Sequence, residues 1–485
     1  MAGVSPKRRL SVGWHLAGMP DFEVRLLRPL LPIAFAALAG CATFHPLPLA
    51  SGRGPQRVED ITVPAQSMPT PALRTYPFDP SNGLDVTEFA MLAVANDPDL
   101  KIQRDAAGVA HAQAYAAGLL PDPQLNYEHD RPTGDYPPGT TDAYTAGLTF
   151  DLGNLITRSA RVKSARAGAH QVDLDLLWNE WQAIAQARTL FDRVYYQRKL
   201  VGRLEREQCA LAPMQAAIAR ALQSGDLTYD TASTGLNAAS DVANQLGDAR
   251  RQLDSAQHDL HGLLGLDASV PLNLAGGPFA VDPDAQEVQR TLDDMPARRP
   301  DLLALQAGYR AQDEKLRAAI LAQFPAITVG FVKARDNGNI SSKGFSISLS
   351  LSLPLFDGNR GNIAIERATR QQLHDEYSAR LLNDRNDVQR LMADLRSDRA
   401  QRAALAAHAA QLAQARENAR VNYAAGRLDW PTYLALRAQS LAADTALLAL
   451  DQNTHETAIA LDALVGDWPD ASRTLRTRQL ANERP

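Results

Sequence analysis

An internal duplication is the feature of this chain that most constrains its fold. Short landmarks of the first half return in the same order 201 to 206 positions later. The pairs are residues 96–100 with 298–302, Phe150-Asp151 with Phe356-Asp357, Gly225 with Gly426, and Leu264-Gly265 with Val465-Gly466. Several landmarks at nearly one offset indicate two tandem copies of one structural unit. We therefore expect one repeated architecture.

Each copy contains two segments with the alternation of a β-strand. They are residues 124–131, 143–152, 327–331 and 345–353. In the last segment Ser346, Ser348, Ser350 and Ser352 alternate with large apolar residues. A transmembrane β-strand needs about 9–11 residues that alternate between an apolar and a polar face. We expect membrane strands whose serines line a polar barrel interior, although a four-stranded sheet packed on helices in a soluble domain also fits.

Long helical segments surround the strands. Between Gly361 and Gly426 the sequence contains neither glycine nor proline, and such a run would form a helix of roughly 95 Å at about 1.5 Å per residue. The first copy has a similar run with Pro213 as an expected kink. Gly225 and Gly426 follow these runs, as glycine commonly does at a helix end. The expected helices cover residues 154–224, 229–264, 362–425 and 430–464.

The N-terminus has the pattern of a secretory signal. Arg25 and Arg28 precede a short apolar run, residues 30–37, which is followed by Cys41. The run is too short to cross a bilayer as a helix, which needs about 20 residues. Cys41 resembles the lipobox cysteine of bacterial lipoproteins, which becomes the lipid-modified first residue. Ala42 stands where an aspartate would favour the inner membrane, so we expect an outer-membrane lipoprotein.

The chain that follows the signal is mildly acidic and begins with a proline-rich stretch. The formal charge is −5 for the whole chain, and removal of residues 1–40 takes away a net +3, which leaves −8. This charge gives no basic surface of the kind that nucleic-acid binding needs, so no nucleic-acid partner is expected. Eight prolines between residues 42 and 80 predict an extended tether.

Four membrane strands from one chain cannot close a barrel by themselves. The smallest bacterial barrels have about eight strands, and an open sheet edge in lipid leaves backbone groups without hydrogen bonds. Several chains must therefore share one barrel if the strands enter the membrane. A dimer would supply eight strands and a trimer twelve, and the residues alone do not choose between them. The helices would continue this barrel into the periplasm as a conduit.

Together these features resemble the outer-membrane efflux protein (TolC) family over about residues 80–467. The resemblance rests on Cys41, the Pro-Asp-Leu openings of both copies, the strand ends at 150–154 and 353–358, and the glycine tips. It implies a mainly α fold with a membrane β-barrel. Each chain would contribute four β-strands and long coiled-coil helices in two tandem repeats. A homotrimer would then form a 12-stranded β-barrel and an α-helical barrel.

The resemblance also implies a function. The chain would be the outer-membrane exit duct of a tripartite efflux pump and would passively export small molecules or metal ions, without enzymatic activity and without a cofactor. Its partners would be outer-membrane lipid, a periplasmic adaptor protein and an inner-membrane pump, usually of the resistance-nodulation-division type. Two alternatives remain open at this point. They are a non-conducting periplasmic structural lipoprotein and a duct for protein secretion.

The expected domains follow from the repeat and the signal. They are a signal peptide (1–40), a lipid-anchored tether (41–80), a first repeat (81–266), a linker or equatorial segment (267–297), a second repeat (298–467) and a polar tail (468–485). The location implied is the outer membrane of a Gram-negative-type bacterium, with the helices extending into the periplasm.

The hairpin tips are the expected gating region. The candidate residues are Gly225, Asp226, Tyr229 and Asp230 on the first tip and Tyr423, Gly426, Arg427 and Asp429 on the second. The resemblance implies that such residues latch closed tips, and we expect Arg427 to pair with Asp226 or Asp230. Many family members carry an acidic residue nine positions after the second tip glycine. Here that position is Ala435, and its counterpart in the first copy is Thr234, so an acidic ring at this level is in doubt.

Two further groups have ordinary explanations. His258 and His261 lie three residues apart on an expected helix, a spacing that can bind a metal. The second copy has no histidine at the equivalent positions, which favours surface polar residues over a metal site. Trp178 and Trp181 are expected to pack in a core region midway along the first long helix. No catalytic residue and no metal ligand is expected.

Overall fold

The computed structural model describes residues 44–49, 55, 57–135, 139–280, 282–336 and 343–465. The chain divides into two compact units, Met1–Arg53 and Gly54–Pro485. Residues 44–49 are the described part of the first unit, and they are exposed and without regular secondary structure. All described helices and strands lie in the second unit. The signal peptide, Cys41 and the tail at 468–485 lie outside the described residues.

The two tandem copies consist of the same six elements in the same order. The first copy contains α2 (Val86–Asn96), α3 (Pro98–Gly118), β1 (Gln124–Asp130), β2 (Ala143–Asp151), α4 (Gly153–Ser224) and α5 (Tyr229–Leu263). The second contains α6 (Ala285–Arg298), α7 (Pro300–Leu321), β3 (Ala326–Arg335), β4 (Lys343–Ser352), α8 (Arg360–Ala424) and α9 (Trp430–Val465). Before them lie α1 (Pro71–Thr75) and three short 3-10 helices, Val58–Asp60, Ala65–Ser67 and Pro80–Asn82. The four strands and four long helices predicted from the sequence are confirmed.

Local sequence explains where these helices begin and end. Asp85 caps α2 by accepting hydrogen bonds from the N–H groups of Thr87 and Glu88, each at 2.8 Å, while the Glu88 carboxylate accepts from Asp85 N at 3.0 Å. Gly225 ends α4 with φ +78°, and Gly426 follows α8 with φ +70°. These left-handed conformations favour glycine. Pro213 lies inside α4, which continues through it without interruption.

The four strands form one antiparallel sheet in the order β1-β2-β3-β4, so β1 and β4 are its edges. Each strand joins a long helix, because α3 leads into β1, β2 into α4, α7 into β3 and β4 into α8. These four helices, which we call the wall helices, pack side by side in the same order as the strands. No described helix combines the length and the hydrophobicity needed to cross a membrane.

Each copy has a hydrophobic core where its short first helix packs against its helical hairpin. In the first copy Phe89 of α2 packs against Phe191 of α4, with ring centroids 6.2 Å apart, and Leu260 of α5 joins them. In the second copy Leu292 of α6 lies in one cluster with Val388 of α8. The equivalent packing in both copies confirms the duplication at the level of the core.

The segment 267–297, expected to be a linker or equatorial segment, contains most of α6. Asp284 caps this helix by accepting from the N–H of Gln286 at 3.3 Å. Val288, Leu292 and Met295 are buried along one side of the helix. Since α6 is the counterpart of α2, the second copy begins near residue 285 rather than at 298.

The extended tether predicted at 41–80 is wrong for residues 57–80. Met68 and Leu73 are 0% and 1% exposed and belong to the core of the first copy. Leu84 then pairs with the linker between the copies, because its N–H donates to the carbonyl of Asn273 and its own carbonyl accepts from Ala275 N, both at 2.8 Å. We call residues 57–84 the strap. Prolines shape the strap, but isolated apolar side chains attach it to the body.

Candidate functional site

The register of the sheet gives it one polar and one apolar face across all four strands, because directly paired residues share a face. The polar face contains Gln124, Asn126, Glu128, Thr145, Gly147, Thr149, Thr328, Gly330, Val332, Ser346, Ser348, Ser350 and Ser352. The apolar face contains Leu125, Tyr127, Leu148, Phe150, Ile327, Val329, Phe331, Ile347, Leu349 and Leu351. At the end of the sheet away from the wall helices, the same face also carries His129, Lys333 and Arg335. The polar face that was predicted from the serines of β4 thus continues across β3, β2 and β1.

The apolar face is uncovered in a single chain. Leu125 is 76% exposed and Leu349 is 71% exposed, at opposite ends of the strand order. Soluble proteins rarely expose contiguous apolar patches of this kind. On β3 and β4 the polar face carries only small side chains, with Val332 as the largest. One face of the sheet therefore suits lipid and the other suits water.

The two sides of the chain are open in the sheet and in the helices. In the described residues β1 pairs only with β2, and β4 pairs only with β3. Likewise α3 and α8 are the end members of the row of wall helices. Each open strand edge therefore continues into an open helical edge on the same side of the chain, which provides a surface for another copy.

Local hydrogen bonds stabilise the turns at the two hairpin tips. Thr228 caps α5, and Asp429 caps α9 by accepting from Thr432 N at 2.8 Å. The Thr432 hydroxyl and N–H hold the pKa of the Asp429 carboxyl below its usual value. Asp226 accepts a hydrogen bond from the Ser224 hydroxyl at 2.5 Å. These two carboxylates therefore stabilise their own turns.

The other tip candidates differ in the contacts that they make within one chain. The ring of Tyr423 stacks on that of Tyr433, with centroids 4.9 Å apart and planes 8° apart, so it joins α8 to α9. Tyr229 is 81% exposed. Among the described side chains of a single chain, Arg427 forms no ion pair with Asp226 or Asp230. The predicted latch is therefore absent within one subunit and stays a prediction for contacts between subunits.

The two hairpins pack on each other near their tips. Trp430 at the start of α9 lies beside Gly235 of α5, where a Cβ atom would be 3.0 Å from the indole ring. Further from the tips, Arg437 of α9 binds the buried carboxylate of Glu207 on α4, with Nη2 2.7 Å from Oε1. Arg203 binds Asp444 at 2.6 Å. These contacts fix the second hairpin against the first, and local sequence patterns carry no signal for pairs so far apart along the chain.

A buried arginine lies between α6 and α7, near the cores formed by the short first helices α2 and α6. We call this level of the molecule the equator. Arg299 is 0% exposed. Its Nε and Nη2 donate to the two carboxylate oxygens of Asp301 at 2.8 and 2.9 Å, and Nη2 also donates to Asp384 of α8 at 2.9 Å. The guanidinium lies 4.7 Å from the ring of Trp178. Trp178 thus lies where predicted, and it packs beside an ion cluster.

Two carboxyl groups around this cluster titrate above their usual range. Burial, and then the negative charge of Asp301, raise the pKa of Asp175 on α4 to about 6. Burial also raises the pKa of Asp384, against the opposing effect of Arg299 and Arg380. The equator therefore contains a carboxyl group that changes charge near neutral pH.

The linker between the copies is fastened to the equator as well. The N–H of Phe279 donates to the buried Asp192 carboxylate at 2.9 Å, and the ring Nδ1 of His455 lies 3.4 Å from its other oxygen. This contact raises the pKa of His455. Arg188 covers the ring of Phe279 at 3.9 Å. The linker is therefore held against α4, beside the contact of α4 with α9.

The histidine pair does not form a metal centre. The Nδ1 atoms of His258 and His261 lie 2.7 and 2.6 Å from the backbone carbonyls of Asp254 and Gln257, and His261 Nε2 lies 2.8 Å from that of Val270. Among the residues that the structure describes, no group of three His, Cys, Asp or Glu side chains could hold a metal ion.

Comparison with known proteins gives a family match for part of the chain and a fold for most of it. Residues 291–467 match the family model for "Outer membrane efflux protein". Protein CyaE of Bordetella pertussis is 29% identical over 375 residues, which cover 71% of this chain and 75% of CyaE. Multidrug resistance outer membrane protein MdtP of Escherichia coli O6:H1 is 25% identical over 310 residues, or 60% of this chain and 61% of MdtP.

A solved structure agrees over a longer part of the chain. The CmeC outer membrane channel of Campylobacter jejuni superposes with a TM-score of 0.68 at 14% sequence identity, covering 90% of this chain and 97% of CmeC. At this identity the likeness concerns the fold. The likeness in fold covers both copies, whereas the family model covers mainly the second.

Proposed function

We propose that this chain is an outer membrane efflux protein, the family whose model matches residues 291–467, and that three copies of it form a passive exit duct through the outer membrane. The family and the fold are those of channel proteins in tripartite efflux systems. The trimer, the specific partners and the cargo are the parts that we add.

The observation that supports this proposal most strongly is the two-faced sheet with two open edges. Lipid cannot hydrogen-bond to the free backbone groups of β1 and β4, so each edge needs a strand from another chain. Joining β1 of one copy to β4 of the next in a trimer gives twelve strands in a closed ring. The polar face would then line the interior and the apolar face would meet lipid.

The wall helices continue the same ring below the membrane. Their order matches that of the strands, so the α3 edge of one copy would meet the α8 edge of the next. The hairpins would then surround a tunnel whose far end is formed by the tips around Gly225 and Gly426. We propose that the adaptor and an inner-membrane pump, of the resistance-nodulation-division type, engage this end and supply the energy.

The cargo follows from the same comparison only as a class. MdtP is named a multidrug resistance protein, and we propose small molecules or metal ions as the exported substrates. We further propose that Cys41 carries a lipid that anchors the chain in the outer membrane. Within the second unit, the strap is held to the core of the first copy, where Met68 and Leu73 are buried.

Cysteine substitution in the barrel tests the proposal. Cys209 is free and exposed, so the background for these variants is a Cys209→Ser chain that keeps Cys41. In planar bilayers, Ser348→Cys in this background should lose conductance when an impermeant thiol reagent is added. Leu349→Cys, one residue away on the other face, should conduct normally after the same treatment.

The alternatives give different results. A non-conducting structural lipoprotein would show no channels in bilayers. A duct for protein secretion would conduct, but a deletion strain would keep its resistance to drugs and metals. Channels that are blocked equally at both cysteine positions would contradict the assignment of the faces.

A further inference from the structure

A cavity of about 980 Å³ touches all four wall helices at the end next to the sheet. Its lining includes Gln113 of α3, Arg161 of α4, Lys315 of α7 and Glu366 of α8. A single row of helices can touch one space with all four members only on its concave side. In the proposed trimer, on which this inference rests, the concave side is the inside of the tube. The cavity therefore marks the inner surface of the tunnel just below the barrel.

The lining has the chemistry of a water-filled passage. Apart from small residues, it is dominated by amide side chains, namely Gln113, Gln171, Gln312, Asn359 and Asn362. Its largest apolar side chains are Val172 and Leu373. This composition differs from the buried equatorial cores, where leucine, phenylalanine and methionine fill the space. Solutes that pass this level would therefore meet polar, hydrated groups.

The charges in this lining are unequal. Arg161 and Lys315 face one carboxylate, Glu366, which accepts a hydrogen bond from the Gln312 amide. The Arg161 guanidinium donates to a neutral group, the Asn154 carbonyl, at 3.4 Å. Among the described side chains neither Arg161 nor Lys315 forms an ion pair. Each chain therefore adds a net charge of one positive unit to the lining.

We propose that Arg161 and Lys315 form a cationic ring in the tunnel and make the channel favour anionic over cationic solutes. Rings of arginine and lysine give anion selectivity in other pores. A narrow passage with charges of one sign also concentrates ions of the opposite sign. Three chains place six cations against three carboxylates at one level. The ring acts on every solute that leaves the tunnel for the barrel.

Reversal potentials across a planar bilayer with a KCl gradient test this directly. The native channel should have a chloride-to-potassium permeability ratio above one. An Arg161→Gln, Lys315→Gln double variant should lower this ratio by at least about twofold, since one unit charge at about 10 Å in water changes a local ion concentration by about that factor. Salt screens the effect, so the fall should be larger at low ionic strength.

A matched control removes the same charge from the same helices. Lys163 of α4 and Arg317 of α7 lie two positions beyond the ring residues, are exposed, and are absent from the cavity lining. The Lys163→Gln, Arg317→Gln double variant should keep the native permeability ratio. An equal ratio in the native channel and both double variants would overturn the proposal. A protein that forms no channel at all would instead contradict the proposed function.

A thiol assay gives a second measure that does not depend on removing both cations. In the Cys209→Ser chain, Gln113→Cys, at a neutral position of the cavity lining, should react faster with an anionic thiol reagent than with a cationic reagent of similar size. Arg161→Gln in the same chain should reduce this difference. Equal rates for the two reagents with Arg161 in place would overturn the assignment.

Discussion

Arg299 occupies the position that corresponds to Asp97 in the first copy, but the two side chains make different contacts. Asp97 caps α3 by accepting a hydrogen bond from Asp99 N at 2.8 Å. Arg299 cannot accept such a bond, and its buried guanidinium binds Asp301 and Asp384 instead. A helix cap in one copy has thus become an ion cluster in the other, and it joins the start of α7 to the middle of α8.

Replacement of Arg299 by methionine should strongly destabilise the protein. The change removes the buried guanidinium that binds Asp301 and Asp384 and leaves the half-exposed Arg380 as their remaining cation; breaking a buried pair in this way costs about 3–5 kcal/mol. Denaturant unfolding of the detergent-solubilised protein measures the loss. Arg251→Met removes an exposed pair with Asp248 and should cost about 0–1 kcal/mol. Equal losses in the two variants would contradict the role of Arg299.

Asp175 should make stability depend on pH. Its pKa of about 6 in the folded chain lies above the ordinary value, so the folded state favours the protonated form. The cost of ionising this carboxyl is therefore absent at acidic pH and is fully present above about pH 6. Asp175→Asn removes the cost, and its melting temperature should rise relative to the native protein between about pH 4 and pH 6. A constant difference from pH 4 to pH 8 would show that Asp175 is not the titrating group.

At the scale of elements, the contact between the hairpins depends on a glycine. A Cβ at Gly235 of α5 would lie 2.3 Å from Cδ1 of Ile218 and 3.0 Å from Cζ3 of Trp430. Gly235→Ala should therefore lower the free energy of unfolding by about 1–3 kcal/mol through overpacking. At Gly247 of the same helix a Cβ would meet only Nη1 of Arg251, at 3.8 Å, and Gly247→Ala should raise it by about 0.5–1 kcal/mol. Chemical denaturation compares the two, and shifts of the same sign would refute the close fit.

The long elements were predictable from the sequence because glycine and proline mark their ends so clearly. Ser346 and its neighbours on β4 were equally clear, since strict alternation has one structural meaning. Helix α6 was missed, although Asp284 and the spacing of Val288, Leu292 and Met295 carry a short helical signal. The strap was missed for another reason. Its burial depends on single apolar residues such as Met68, whose partners lie far away in the chain.

The candidate site was predictable to a smaller extent. The serine face could be read from β4 alone, but its continuation over Gln124 and Asn126 needs the register between strands. The ion pairs of Arg299 with Asp384 and of Arg437 with Glu207 join residues 85 and 230 positions apart. Local patterns carry no information about such pairs. The tip residues were identified by type, yet only the structure shows that Asp226 and Asp429 stabilise their own turns.

At the scale of the whole molecule, Arg427, which forms no ion pair within the described part of one chain, is the best remaining candidate for a latch between subunits. In the proposed trimer, Arg427 of one tip would meet Asp226 or Asp230 of a neighbouring subunit when the tunnel is closed. Arg427→Ala should then increase single-channel conductance in bilayers, because the closed state loses an ion pair. Arg420→Ala breaks a pair within one helix, with Glu417 at 2.8 Å, and should leave conductance unchanged. Unchanged conductance in both variants would exclude the latch.

The open edges of the sheet and of the wall also have a genetic consequence. Every subunit of a shared ring is a neighbour to both others, so one copy with a damaged edge leaves a gap that two sound copies cannot fill. An allele whose protein is altered in β1 or β4 but still assembles would therefore inactivate the channels that it forms with normal subunits. Such alleles would be dominant, whereas alleles that prevent folding altogether would be recessive.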